Sequence, residues 1–102
     1  MTLSEFVDLF ENCGLPIAFD HFRTEQQLPY LVYIVTGNNQ MAADNITFNS
    51  APTVQLELYT ELKDETKEAT VESILSGFYY EKEEEYLDDE RMYMVAYRLT
   101  LR

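Results

Sequence analysis

Apolar residues recur at helical spacing at Leu3, Phe6, Val7, Phe10 and Cys13 and stop at Gly14, which predicts a short amphipathic helix at the start of the chain. Thr2 and Glu5 have the spacing of a capping box, and Met1 and Phe6 are placed to staple across it. After Leu15-Pro16, a mixed pattern from Ile17 to Phe22 predicts a short strand, with Pro16 at its start where a missing N–H is tolerated. Tyr30 to Val35 is β-branched and aromatic and apolar on both alternating faces, the pattern of a central strand. Residues 37–52 are rich in amides and turn formers, with Met41, Ile46 and Phe48 as their large apolar residues, and read as a long loop.

From Thr53 to Thr60 the alternation is clean, with Val54, Leu56 and Leu58 on one side and Gln55, Glu57 and Tyr59 on the other. Asp64 is placed to cap a second helix, and Glu65 and Glu68 suit its positive N-terminal end. Val71, Ile74, Leu75 and Phe78 form the apolar stripe of that helix, and Gly77 marks its stop. Tyr79 to Leu87 and Arg91 to Leu101 then read as a hairpin closed by Asp88-Asp89-Glu90, with Tyr93, Val95, Tyr97, Leu99 and Leu101 turned inward. The predicted fold is α+β: a single antiparallel or mixed sheet of about four to five strands, with two helices packed on one face, in the order α-β-β-β-α-β-β. The 102 residues match one domain, with no repeat or linker to divide residues 1–102.

Composition changes this picture in two ways. With 46% hydrophobic and 14% aromatic residues, the chain has enough apolar surface to offset the entropy of ordering it, so it is not an acidic disordered tail. The net charge is −12, and it is concentrated: residues 61–90 hold twelve acids against Lys63, Lys67 and Lys82, which leaves −9 in that segment. Such a balance disfavours specific nucleic-acid binding and anionic membranes, because both need clustered cations. The longest apolar run is far shorter than the roughly 20 residues of a membrane span, and the first residues lack a secretory pattern, which predicts a soluble protein made in the cytoplasm. The lone Cys13 has no partner for an internal disulfide and lies on the apolar stripe, as a small buried hydrophobe would.

No catalytic or metal-binding constellation stands out. His21 is the single histidine, and on a strand its neighbour Asp20 would point to the opposite face, which predicts that the two do not work together. No Gly-x-Ser-x-Gly occurs, and the three glycines, at 14, 37 and 77, are too far apart for a phosphate loop. Glu81, Glu83, Glu84, Glu85, Asp88, Asp89 and Glu90 offer oxygen ligands, yet they lack the spacing and turn glycine of an EF-hand and fit better as a charged strand edge that repels stray pairing. The eight tyrosines favour protein contacts, while Tyr33, Tyr93 and Tyr97 read as core residues with a satisfied hydroxyl. The expectation is therefore a binding protein, not an enzyme, with no cofactor and no metal. Its candidate interaction residues are Met41, Asp44, Asn45, Ile46 and Phe48 in the loop, and Glu83, Glu85, Asp88, Asp89 and Glu90 in the acidic segment.

An ordered series of short motifs resembles a known family. Leu15-Pro16, Leu28-Pro29-Tyr30 opening a strand, Ala43-Asp44-Asn45 in the next loop and Glu57-Leu58-Tyr59-Thr60 leading to Lys63-Asp64 are followed by Val71-Glu72, Ile74-Leu75, Tyr86, Glu90 and a Tyr-rich last strand. Over most of its length the chain is similar to small tail-completion or tail-terminator proteins from the head-to-tail joining region of tailed phages and prophages of Gram-positive bacteria. The resemblance implies a virion structural subunit with an α+β fold and no enzymatic activity. It implies assembly with other copies of itself as a ring, commonly a hexamer, in contact with tail or head-tail connector proteins. The implied location is the virion, with the host cytoplasm before assembly. Acids facing a ring lumen would repel phosphates over a Debye length of roughly 8 Å at physiological salt, and the 37–52 segment would touch a neighbouring subunit. The alternative from another class is an acidic DNA mimic that inhibits a nucleic-acid-binding protein.

Overall fold

The computed structural model describes the backbone of residues 1–43 and 46–101 and the side chains of residues 1–37 and 51–101. The elements are α1 (Leu3–Asp8), β1 (Ile17–Phe19), β2 (Tyr30–Ala43), β3 (Ile46–Thr60), α2 (Glu65–Ile74), continued by a 3-10 turn over Leu75–Gly77, then β4 (Tyr80–Leu87) and β5 (Met92–Thr100). The α-β-β-β-α-β-β order is the one the pattern predicts. The sheet has five strands in the order β1-β2-β3-β5-β4, with β1 parallel to β2 and every other pair antiparallel, so it is mixed.

Register decides which side chains meet. Leu31 lies opposite Leu58, Leu56 opposite Tyr97, and Val54 opposite Leu99, which gathers the apolar positions of β2, β3 and β5 on one face. Both helices cover that face: Phe6 and Phe10 from the N-terminal segment and Val71 and Leu75 from α2 and its extension are fully buried with Leu31, Leu56, Leu58, Tyr97 and Leu101 in one cluster. Phe6 is the centre of an aromatic corner, 5.3 Å from Phe10 and 6.1 Å from Phe78 between ring centroids.

α1 starts as expected. Thr2 Oγ1 accepts the Glu5 N–H and Glu5 Oε1 accepts the Thr2 N–H, a complete capping box that also holds the Glu5 carboxyl below its usual range through the Thr2 backbone N–H. It ends at Asp8 and not near Gly14, because the next residues tighten into i→i+3 bonds from Phe10 to Val7, Glu11 to Asp8 and Cys13 to Phe10. The change of period turns Phe10 and Leu15 inward and leaves Cys13 half-buried beyond the helix, its Sγ directed at the Leu15 carbonyl. Gly14, at φ 84, reverses the chain towards β1. α2 is capped by the Asp64 carboxylate, which accepts the Lys67 N–H at 3.0 Å.

Residues 37–52 are not the loop their composition predicts. β2 and β3 stay paired outward from Val35 and Val54, from Gly37 opposite Thr53 as far as Ala43 opposite Ile46, with irregularities after Val35 and after Met41. Beyond Pro52, whose carbonyl accepts the Leu101 N–H at 2.9 Å, the ladder of this ribbon runs between its own two strands. It projects past the sheet and gives the molecule its 49 Å long axis against 27 and 25 Å across. Alternation of polar and apolar residues is the local signal of a strand with one buried face, and the amides and turn formers of residues 37–52 do not carry it.

Smaller departures also have local causes. β1 stops at Phe19, three residues short of the predicted end at Phe22, because Asp20 takes the left-handed conformation at φ 65. The β4–β5 connection includes Arg91, at φ 55, so the turn runs from Asp88 to Arg91 and pairing resumes with Leu87 opposite Met92.

Candidate functional site

The candidate residues fall at the two ends of the sheet. Met41 lies in the β2 half of the ribbon, opposite Asn49, and Ile46 opens the β3 half opposite Ala43. Phe48 sits at the second irregularity, where β3 advances from Asn49 to Thr47 while β2 advances one step. Asp44 and Asn45 lie outside the described residues. Asp88, Asp89 and Glu90 are exposed in the turn beyond Leu87 and Met92, at the end of the sheet that Thr60 and Tyr93 also reach. The ribbon leaves from the other end, where Thr53 pairs with Thr100. Seven strand steps separate those ends, on the order of 24 Å, so the structure does not bring the two sets together.

Acids along β4 divide by strand period. Glu81, Glu83 and Glu85 point away from the helices and are exposed; Arg98 Nη1 is 3.9 Å from Glu83, and the Arg98 guanidinium donates to Gln55 Oε1 at 2.9 Å. As the outermost strand, β4 presents free backbone groups on one side, and its carboxylates oppose pairing there.

Lys82 and Glu84 point the other way, under α2, into a polar cluster that sequence reasoning missed. Lys82 Nζ is 2.9 Å from Glu68 and 2.8 Å from Glu72; Lys63 Nζ is 3.0 Å from Glu68 and 2.6 Å from Glu84. The Tyr97 hydroxyl donates to Glu72 Oε2 at 2.8 Å, and the Tyr93 hydroxyl donates to Glu84 Oε1 at 2.6 Å. Glu68 is only 4% exposed, and the two ammonium groups are the cations in contact with its buried carboxyl group among the described residues. It does not serve chiefly as the helix-end acid its position suggested.

Mutual hydrogen bonding shifts these groups apart. The bond from Lys82 holds the Glu72 carboxyl below its usual value, and the bond from Lys63, followed by that from Tyr93, does the same for Glu84. Burial pulls Lys82 down, but its bonds to Glu72 and Glu68 outweigh this and raise it; bonds to Glu84 and Glu68 raise Lys63. Burial, then the bond to Glu72, pushes the Tyr97 phenol up. All of these shifts favour the charged carboxylates and ammoniums and the neutral phenols already present, which makes the cluster a clamp between α2 and β4 and not a proton-transfer site. The legible signal was the i, i+4 pair Glu68 and Glu72 on a helix beside the i, i+2 pair Lys82 and Glu84 on a strand.

Asp20 and His21 do meet, contrary to the expectation for adjacent strand residues. Asp20 is beyond the strand, and its left-handed backbone lets its Oδ2 lie 2.8 Å from His21 Nδ1. The pair is exposed, 72% for His21 and 61% for Asp20, and no nucleophile is hydrogen-bonded to it among the described residues. Among the described residues, no group of three or more His, Cys, Asp or Glu is placed to hold a metal ion, and no helix is long and apolar enough to cross a membrane. No family model and no curated protein sequence matches the chain.

Proposed function

We propose that the chain is a structural subunit of a phage or prophage virion, a tail terminator, tail-completion or head-tail joining protein that acts by assembly and not by catalysis. The observation that carries this reading is the ribbon formed by Gly37–Ala43 and Ile46–Pro52, which leaves the sheet and satisfies its backbone within itself. A paired arm that runs on past the last contact with β5 is a feature a 102-residue domain does not need to close its sheet, and a partner accounts for it. Arm and acidic turn sit at opposite ends of the sheet, so one copy offers its neighbour a different surface from the one it receives. Contacts of that kind are heterologous, and they form a ring where the rotation between neighbouring copies closes. Carboxylates on the outward side of β4 suit a lumen that must not hold DNA, or a basic tail or connector protein.

The DNA-mimic alternative is less well served. Glu68, Glu72 and Glu84 are held by Lys63 and Lys82, which leaves fewer carboxylates to imitate phosphates than the net charge suggests.

Replacing residues 40–50 with a two-residue Asn-Gly turn keeps the Asn39–Ala51 pairing and the whole buried cluster. The expected result in sedimentation velocity and negative-stain imaging, with and without tail tubes, is rings or capped tubes for the intact protein and monomers with unchanged thermal unfolding for the shortened one. Intact protein that forms neither rings nor caps, and instead competes with DNA for basic DNA-binding proteins, would overturn the proposal.

A further inference from the structure

The face of the sheet away from the helices carries an aromatic cleft that the assembly reading does not use. Tyr30 and Tyr59 are register partners on this face, with ring centroids 5.3 Å apart and planes 34° from parallel. Phe22, in the segment after β1, stands edge-on to Tyr30 at 5.2 Å and forms the other wall. Together with Val32 and Met92 they enclose about 380 Å³ that opens to solvent. That volume lies in the range of pockets that hold small organic groups.

Asp20 and Glu25 line the cleft together with His21, whose Nδ1 is 2.8 Å from Asp20, and no lysine or arginine is among the described residues that line it. Glu57 does not itself line the cleft; it is the register partner of the lining Val32, shares the face of Tyr59 two residues away and is half-buried. Its two oxygens are held by neutral donors, the Tyr59 hydroxyl at 2.9 Å and the Gln55 amide at 2.7 Å, and no ion pair to it is found among the described residues. Burial, then Glu57, raises the Tyr59 phenol, and the charge of Glu90 adds to this. A half-buried carboxylate without a cation, beside stacked electron-rich rings, is a site built for a positive group.

We infer that this cleft takes an arginine side chain presented by a basic partner protein, its guanidinium laid against Tyr30 and Tyr59 and faced by Glu57 and Asp20. Arginine fits better than lysine because a planar, weakly hydrated cation stacks on aromatic rings and still bonds a carboxylate. A second copy of this chain is the poorer occupant, since it has only seven Lys and Arg to offer among nineteen acids. The inference goes beyond ring assembly: the cleft is about a sheet's length from the arm, and its test does not depend on rings.

The test uses an uncharged-end peptide, acetyl-Gly-Arg-Gly-Arg-Gly-amide, and its citrulline counterpart, titrated into the full chain while ring resonances are followed by NMR. The expected result is saturable shifts centred on Phe22, Tyr30 and Tyr59 with the arginine peptide only. Tyr59→Leu, which leaves net charge unchanged, is expected to weaken binding about fivefold. Asp20→Asn, whose new side chain also accepts a left-handed backbone, is expected to weaken it as well, while Glu83→Gln with Glu85→Gln has little effect. Shifts confined to β4, a loss caused by the β4 pair and not by Tyr59→Leu, equal binding of the citrulline peptide, or no binding overturns the inference.

Discussion

Both sides of β4 carry glutamates and put them to opposite work. On the helix side, Lys82 and Glu84 lie between Tyr80 and Tyr86, and each charge has a short contact with a partner from α2, β5 or the segment before α2. On the other side, Glu81, Glu83 and Glu85 stand in solvent with Arg98 as the nearby cation. One residue step separates a carboxylate that fastens a helix to the sheet from one that guards an edge. Burial and the presence of a counter-charge, not composition, set what an acid does here.

Removing the central cation should break the comparison most severely. Lys82→Ala leaves the buried Glu68 with Lys63 alone and strips Glu72 of its ammonium, with an expected loss of about 2–4 kcal/mol and a fall in Tm on the order of 10 °C or more, measured by urea and thermal unfolding. A loss no larger than that of an exposed charge would show that the clamp contributes nothing to stability.

Acid should separate the two sides more gently. The Glu72 carboxyl is depressed by Lys82, so the stability it adds is complete above its unfolded value of about 4.3 and is lost as pH falls through the lower folded one. Stability measured from pH 6 to pH 2.5 should therefore fall more steeply in the parent than in Glu72→Gln, with parallel curves above about pH 5. Glu83→Gln with Glu85→Gln serves as the control for the solvent side of β4. Curves that stay parallel to the acid end would remove Glu72 from the clamp.

The smallest effect on folding belongs to Glu83→Gln with Glu85→Gln, expected within about 0.5 kcal/mol of the parent. Its consequence should lie in association: with the edge less charged, sedimentation velocity should show self-association at lower concentration. Unchanged sedimentation would count against a guarding role for these acids.

Much of the fold was legible because burial writes itself into spacing. Val54, Leu56 and Leu58 announce a one-sided strand, Thr2 and Glu5 a helix start, and Asp64 a second cap, each through contacts within a few residues. The ribbon was not legible, since its amides and turn formers carry no alternation to read. Nor was the meeting of Asp20 with His21, which depends on one residue at φ 65.

Sequence alone determined the element order, the α+β class, the concentration of negative charge and which positions face the core, because each follows from local period and composition. Only the tertiary structure decided that Glu68, Glu72 and Glu84 share two lysines, that Tyr30, Tyr59 and Phe22 wall one cleft, and that arm and acidic turn stand at opposite ends. These depend on strand order and register, which bring together residues as far apart as Lys63 and Glu84, 21 positions, and Tyr30 and Tyr59, 29 positions, and chain-local preferences carry no record of distances that long.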